Sequence, residues 1–446
     1  MALGGGIWQT QNKTLPGSYI NFTSVQKASA VLSERGFAAM PLMLDWGPNN
    51  TVFTVTNADF QKNSLKIFGH GYGDKEMQPL RELFENTQTL YAYRLNGGGV
   101  KASNKYCEAK YSGTSGNKLA ITITQNIDNG SLFDVVTLFD NMPVDSQTVA
   151  NSGELKPNDF ITWKSAELLT TAKTALTGGT DASSVTSSAY QTFLDKIESY
   201  SFNALGCPTD DLTTIKLFIN FTKRMRDEVG AKFQTIIFND FTSEKIADHE
   251  GVIEVANKVI DFDSSVPGMG QYGLIYWVTG ICAGCAVNKS NSNKLYNGEL
   301  IVNTDYTQAQ LGKAIEQGRF IMHNVNGNVR TLDDINSLTT VTDTKGDVFK
   351  SNQTIRVCDQ IANDVAVVFN TRYLGVVPND DNGRMALWND ICKLLQSLEK
   401  IRAIENFDPD SVSVKQGDTK KAVVCTVKDL NIVNAMAQLY MNVIVM

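Results

Sequence analysis

The sequence predicts a multidomain α/β and α+β protein. An α/β core carries an inserted antiparallel β domain and is followed by a C-terminal α+β domain with an unfinished sheet. Three observations carry this reading. A chain of 446 residues allows two to four domains, each with a real core. Helix and strand periodicities alternate over residues 23–99 and 166–345, as in layered α/β packing. Between them, residues 100–165 hold short alternating segments separated by turn residues, the pattern of an antiparallel sheet.

Residues 1–22 read as an N-terminal linking arm with a first strand. Gly4-Gly5-Gly6 is a tether, and Ile7-Trp8-Gln9-Thr10 and Tyr19-Ile20-Asn21-Phe22 are rich in β-branched and aromatic residues. In the small α/β domain, 23–99, the apolar run 37–44 is closed by Trp46-Gly47-Pro48. Residues 51–56 alternate as a half-buried strand, Asp74 caps a helix over 75–86, and 90–95 returns as a strand. Asn96-Gly97-Gly98-Gly99 is a hinge. In the β domain, 100–165, residues 118–124 and 132–139 are the clearest strands, with turns at 113–116 and 128–130. The Gly, Ser and Thr-rich stretch 177–188 is a surface loop.

The α/β core domain, 166–345, opens with a helix over 212–229, capped by Asp210 or Asp211 and stopped by Gly230. A buried strand follows at 233–238, a strand at 251–255, an apolar helix at 273–287, a helix at 308–317 and a strand at 319–324.

In the C-terminal α+β domain, 346–429, Ile355, Cys358, Ile361, Ala362, Val365, Val368 and Phe369 line one helix face. A turn at 378–383 leads to a second helix, 384–404, with Met385, Trp388, Ile391, Cys392, Leu395 and Leu398 inward. Residues 411–415 and 422–427 form a hairpin about Gln416-Gly417-Asp418. Two helices beside a lone hairpin leave a sheet that needs further strands. Residues 430–446 add a helix over 430–440 and a last strand, Met441-Asn442-Val443-Ile444-Val445-Met446. A strand at the end of a polypeptide must pair with something already built or remain an open edge. Two β-prone ends point to a chain that lends strands to its neighbours. Pattern alone leaves open that both ends pair within their own chain.

The formal charge of −7 and pI near 5.2 provide no basic field, so nucleic acid is not an expected partner. The most apolar run, 274–287, is about fourteen residues, short of the roughly 20 that span a bilayer, so no membrane insertion is expected. No basic and apolar leader opens the chain, and the seven cysteines are odd in number and mostly scattered. They read as reduced thiols made in a cytoplasm.

The sequence contains no Walker loop, no H-E-x-x-H and no G-x-S-x-G. Gly69-His70-Gly71-Tyr72-Gly73 lacks dinucleotide-loop spacing and reads as a turn. Cys282-Ala283-Gly284-Cys285 admits a thiol oxidoreductase reading, but it falls late in an apolar helix, where two small core residues are the simpler account. His70, His249 and His323 share no evident partner, and Asp380, Asp381 and Asn382 lack the rest of a cation loop. No catalytic, cofactor-binding or metal-binding residue is assigned, and an enzyme is not expected.

Leu15-Pro16-Gly17-Ser18-Tyr19-Ile20-Asn21-Phe22 is followed by Glu34-Arg35-Gly36 ahead of Trp46-Gly47-Pro48. Further on come Arg356-Val357-Cys358-Asp359-Gln360-Ile361-Ala362-Asn363-Asp364, Gly383-Arg384, Asn406-Phe407, Val414-Lys415-Gln416-Gly417 and Leu439-Tyr440-Met441. Taken together, these fragments resemble the tail sheath proteins of contractile phage tails and R-type bacteriocins. Ser18 stands where the family usually has Val. The resemblance implies a homo-oligomer of stacked rings, six subunits each, around an inner tail tube protein. It also implies a baseplate and a tail terminator as partners, and contraction that drives the tube through a target envelope. Assembly in the bacterial host cytoplasm and residence in a phage tail or released bacteriocin follow. On this basis Ile7, Trp8, Gln9, Thr10, Val443, Ile444 and Val445 are donor strands. Val412, Val414, Val423, Val424 and Val427 belong to the acceptor hairpin, and the tethers at 4–6 and 429–434 are hinges. Asn389, Lys393, Gln396 and Lys400 share a polar helix face, and related sheaths turn such a helix toward the tube; a plain solvated face is the alternative.

Overall fold

β1 (Phe37–Leu42) is apolar along nearly its whole length because the rest of the core is built on both sides of it. The computed structural model describes residues 32–182 and 184–445. β2 (Val52–Thr56) runs straight into α1 (Asn57–Phe68). The Thr56 hydroxyl accepts the Asp59 N–H to start this helix, and Gly69, at φ 73°, ends it. The sequence reading missed α1, whose buried anchors are only Phe60, Ser64 and Phe68 in an otherwise polar run. α2 (Gln78–Phe84) and β3 (Thr89–Arg94) follow, β3 parallel to β1 and antiparallel to β2. Asp74 does not cap its helix by side chain; its carboxylate accepts the Gly71 N–H at 2.6 Å instead.

The inserted β domain comprises β4 (Lys101–Ser103), β5 (Cys107–Ser112), β6 (Leu119–Gln125), β7 (Phe133–Phe139), β8 (Met142–Val149), β9 (Ile161–Trp163) and β10 (Thr171–Ala175). They form one sheet in the order β10-β6-β7-β8 and a second in the order β4-β5-β9. Ala109 and Ile161 of one sheet share a core with Ile121 and Val135 of the other. Trp46, from the core domain, is part of that core and stacks edgewise on Tyr111. Arg94 binds the two domains together. Its guanidinium donates to Leu44 O, Gly47 O and Ser112 O and pairs with Asp181 at 2.9 Å.

The core resumes with α3 (Ser187–Ile197), β11 (Ala204–Gly206) and α4 (Leu212–Lys223). Asp211 caps α4 through the Thr214 N–H at 2.8 Å, and a wider helical turn runs on to Gly230. Next come β12 (Gln234–Phe238), β13 (Val252–Val255), β14 (Val259–Ile260), α5 (Leu274–Gly284), β15 (Ile301–Val302), α6 (Gln308–Glu316), β16 (Arg319–Phe320), β17 (Met322–Val325) and β18 (Asn328–Thr331). The main sheet has the order β16-β13-β12-β11-β1-β3-β2, parallel except at β2. This corrects the separation of residues 23–99 from 166–345. Ala38 and Ala39 pair with Ala204 and Leu205, so both stretches build one sheet. Local periodicity says that each segment is a strand, not which strand it joins. α5 is apolar all round because every residue from Leu274 to Ala283 is buried, many of them in the largest core cluster.

The C-terminal domain holds α7 (Asn352–Val368), α8 (Asp381–Lys400), β19 (Ile404–Glu405), β20 (Val412–Gln416), β21 (Val423–Val427) and β22 (Asn431–Ile432). The deepest face of α7 is polar, with Asn352, Gln353, Arg356, Asp359, Gln360 and Asp364 buried. The expected apolar stripe is only half-buried at Ile361 and Val365, which meet the α8 cluster. Arg226 grips Asp359 with two bonds of 2.7 and 2.8 Å, and Arg356 pairs with Asp334 at 2.5 Å. These buried pairs join the C-terminal domain to the core. Their signal was legible: ionic residues recur on α7 at the spacing of one helix face.

Candidate functional site: the C-terminal hairpin and arm

β20 and β21 pair antiparallel, Val412 opposite Val427, Val414 opposite Cys425 and Gln416 opposite Val423. This set faces α8. Trp388 Nε1 donates to Val412 O at 3.0 Å, and Val414, Val423 and Val427 pack on a cluster that includes Leu387, Ile391 and Leu395. Val424, opposite Lys415, points to the other face and is exposed. Cys425 is on the α8 side yet remains exposed, so the helical layer does not fully cover β21. The hairpin is a two-stranded sheet, and among the described residues neither outer edge carries another strand. Unpaired edges of this kind are docking rows for an added strand.

After β21 the chain turns at Asp429, at φ 55°, and β22 pairs with β19, Ile432 opposite Ile404. The helix expected over 430–440 is not formed. Residues 431–432 are strand, and 433–445 have no regular structure. Pairing with β19 takes Asn431 and Ile432 out of any helix, and the stretch left beyond them is too short to hold a helix without packing in water. Met436, Leu439, Tyr440, Met441, Val443, Ile444 and Val445 are all exposed, Val443 at 68% and Val445 at 87%. Val443, Ile444 and Val445 form no strand among the described residues. The other donor candidates, Ile7, Trp8, Gln9 and Thr10, lie outside the described residues, as does the motif at 15–22.

Asn389, Lys393, Gln396 and Lys400 are exposed and follow one another along one stripe of α8. Met385, expected inward, extends that stripe and is 58% exposed. Gly383 and Leu387 occupy the inner positions of that turn instead.

The chemical candidates serve local structure. Cys282 and Cys285 end α5, and Arg35 caps the helix by donating to Cys285 O at 2.8 Å and Cys282 O at 3.1 Å. Burial pushes both thiols up from their ordinary value, the reverse of an activated thiol. His70 is bound to Asp45 at 2.8 Å, and Ser115 from the β domain donates to the same carboxylate. His249 accepts the Gly251 N–H on Nδ1, so its proton sits on Nε2, 3.1 Å from Asp227. A metal held with Asp227 and Glu250 would need that protonated nitrogen. Asp380 is spent as the N-cap of α8, accepting the Gly383 N–H at 2.8 Å.

Comparison with known proteins covers almost the whole chain. Residues 35–95 match the model for the tail sheath protein Gp18 domain III N-terminal region, and residues 97–181 the phage tail sheath protein beta-sandwich domain. Residues 183–337 match the phage tail sheath protein central domain, and 344–446 the phage tail sheath C-terminal domain. The phage-like element PBSX protein XkdK of Bacillus subtilis is 30% identical, with 92% of each chain covered. The sheath tail protein of Desulfitobacterium hafniense is 33% identical in structure-based comparison, with TM-score 0.75 over 90% of this chain and 93% of that one. The helical sheath of the anti-feeding prophage in its contracted state shares the fold at 12% identity, with TM-score 0.56 over 97% and 99% of the two chains.

Proposed function

The chain belongs to the phage tail sheath family as a structural subunit, and from that premise we propose how it polymerises and contracts. Copies stack as six-membered rings around an inner tube, between a baseplate and a tail terminator, and assemble in the host cytoplasm. Each copy lends residues 443–445, and the N-terminal segment 7–10, to the β20–β21 hairpins of neighbours. One observation carries this reading. The domain that bears an exposed apolar arm also bears a hairpin whose edges carry no further strand among the described residues, and an incompletely covered strand.

The energetics favour links that persist during movement. An added strand forms several backbone hydrogen bonds worth roughly 0.5–1.5 kcal/mol net each. Burying a valine or isoleucine from the arm adds roughly 1.5–3 kcal/mol, before the ordering entropy of the arm is subtracted. The buried Arg226–Asp359 and Arg356–Asp334 pairs support the core and C-terminal domain moving as one body. Contraction then repacks outer surfaces while the strand links hold, driving the tube through the envelope. The stripe from Asn389 to Lys400 meets the tube through weak, reversible polar contacts.

Deleting residues 441–446 tests the reading. The truncated subunit should fold normally and yield no extended, contractile sheath in electron micrographs. Sheaths of normal length and contraction from the truncated chain would overturn strand lending by this end.

A further inference from the structure

The place where the terminal arm leaves the body is tightly built. Val433 donates its N–H to Ala403 O at 3.0 Å. Gln353, in the first turn of α7 and only 3% exposed, then uses both ends of its amide on the main chain around Asn434. Its Nε2 donates to Val433 O at 3.0 Å, and its Oε1 accepts the Ala435 N–H at 2.9 Å. The amide stands where the peptide group of a neighbouring strand would stand. Asn434 is held as well: its Oδ1 accepts from Ser351 Oγ at 3.1 Å, and its Nδ2 donates to Thr354 Oγ1 at 3.1 Å. Past Ala435, no residue of the arm hydrogen-bonds to the body among the described residues, and the side chains are exposed.

The first turn of α7 is itself fixed to the core. Asn352 Nδ2 donates to Asp334 Oδ1 at 3.0 Å and Ile335 O at 2.9 Å, and Asn352 Oδ1 accepts from Gln234 Nε2, at the start of β12, at 2.8 Å. A bonded path therefore runs from the main sheet through Asn352 and Gln353 to the peptide groups around Asn434.

We infer that Gln353 and Asn434 form a clasp that sets the exit point and direction of the C-terminal arm. The inference rests on the arm being a lent strand and adds how it is aimed. Residues 429–434, which the sequence marks as the hinge, are the anchored root. The hinge is the stretch 436–440 beyond them, and the core is its frame of reference. The clasp also limits reach. Val443 lies eight residues past Ala435, about 26–29 Å of extended chain, so the receiving hairpin must lie within that distance of Ala435.

Hydrogen exchange on the free, full-length subunit tests the clasp without any assembly. In the wild type, the Val433 and Ala435 amides should be protected and those of 437–445 should not. Asn434→Ala and Gln353→Leu should each speed exchange at Ala435 by roughly tenfold, the loss of a hydrogen bond or two. Asn434→Ala, at an exposed position, should do so at an unchanged melting temperature; a merely stabilising role would lower that temperature and leave the arm no faster than the body. Particles of Asn434→Ala should show shortened or irregular sheath. An Ala435 amide exchanging as fast as 437–445 in the wild type would overturn the inference. So would a variant with an unprotected arm that assembles sheath of normal length and order. If instead the 441–446 deletion assembles normally while Ala435 is protected, strand lending fails and the clasp remains a measured feature of the subunit.

Discussion

Replacing Val443 and Val445 with serine separates stability of the subunit from stability of the polymer. In an extended strand both side chains would lie on the same side, and both are mostly exposed in the single chain, at 68% and 87%. Neither contributes appreciably to the fold of its own subunit, so unfolding of the double variant should stay within about 0.5 kcal/mol of wild type, as at other surface sites. In the assembled sheath the same side chains would be buried against a neighbour's hairpin. Losing them costs roughly 1.5–3 kcal/mol apiece, or about 3–6 kcal/mol per link for the pair, as a gross figure. Even the lower end weakens each link by about 100-fold or more, at 1.4 kcal/mol per factor of ten. Thermal unfolding of the purified subunit and electron microscopy of tails produced with the variant are the two assays. The expected result is an unchanged melting transition with sparse, short or unstable sheath. An unchanged melting transition with full-length, contractile sheath would refute the reasoning. A large drop in the melting temperature would refute it too, by showing that the arm packs on its own body.

Other outcomes follow from particular residues. Lys393→Glu with Lys400→Glu should give sheath polymers lacking an enclosed tube, because both exposed lysines would face an acidic tube surface; tube-filled particles at normal yield would count against that face. Cys282→Ser with Cys285→Ser should leave assembly intact, since the pair ends a helix under Arg35 and both thiols are pushed up by burial. In the free subunit, Cys425 should be the first thiol labelled by an alkylating reagent, and assembled sheath should protect it. Arg94→Met should cost about 3 kcal/mol in denaturant unfolding, because it removes a buried donor from three carbonyl acceptors at the junction of core and β domain and breaks the pair with Asp181, which keeps only Thr114.

What the sequence disclosed depended on whether the signal was local. The start of α4 and the end of the wider turn that continues it were legible because Asp211 and Gly230 act through their own backbone neighbours. The β20–β21 hairpin was legible for the same reason, with Val412 and Val414 alternating before a turn and a valine-rich run after it. Helix α1 escaped because its apolar anchors are few, although Thr56, Asp59 and Gly69 do mark its ends. Pairing between β1 and β11 joins residues more than 160 positions apart, and no local pattern encodes it. Met385 looked inward by periodicity, but Leu387 holds the inner position of that turn. The segment 430–440 has the composition of a helix, but Asn431 and Ile432 pair with β19 instead and Met436, Leu439 and Tyr440 are exposed. Gln353 was invisible as a functional residue, since a lone glutamine in a helix gives no sign that its amide will hold a distant main chain.

A reconstruction of the assembled sheath, detailed enough to trace residues 436–446, puts the account at greatest risk. It should place Val443, Ile444 and Val445 beside the β20 or β21 edge of a different copy, with that edge within about 26–29 Å of Ala435. Finding those residues laid against their own α8 or hairpin, with no contact to a sister subunit, would contradict it.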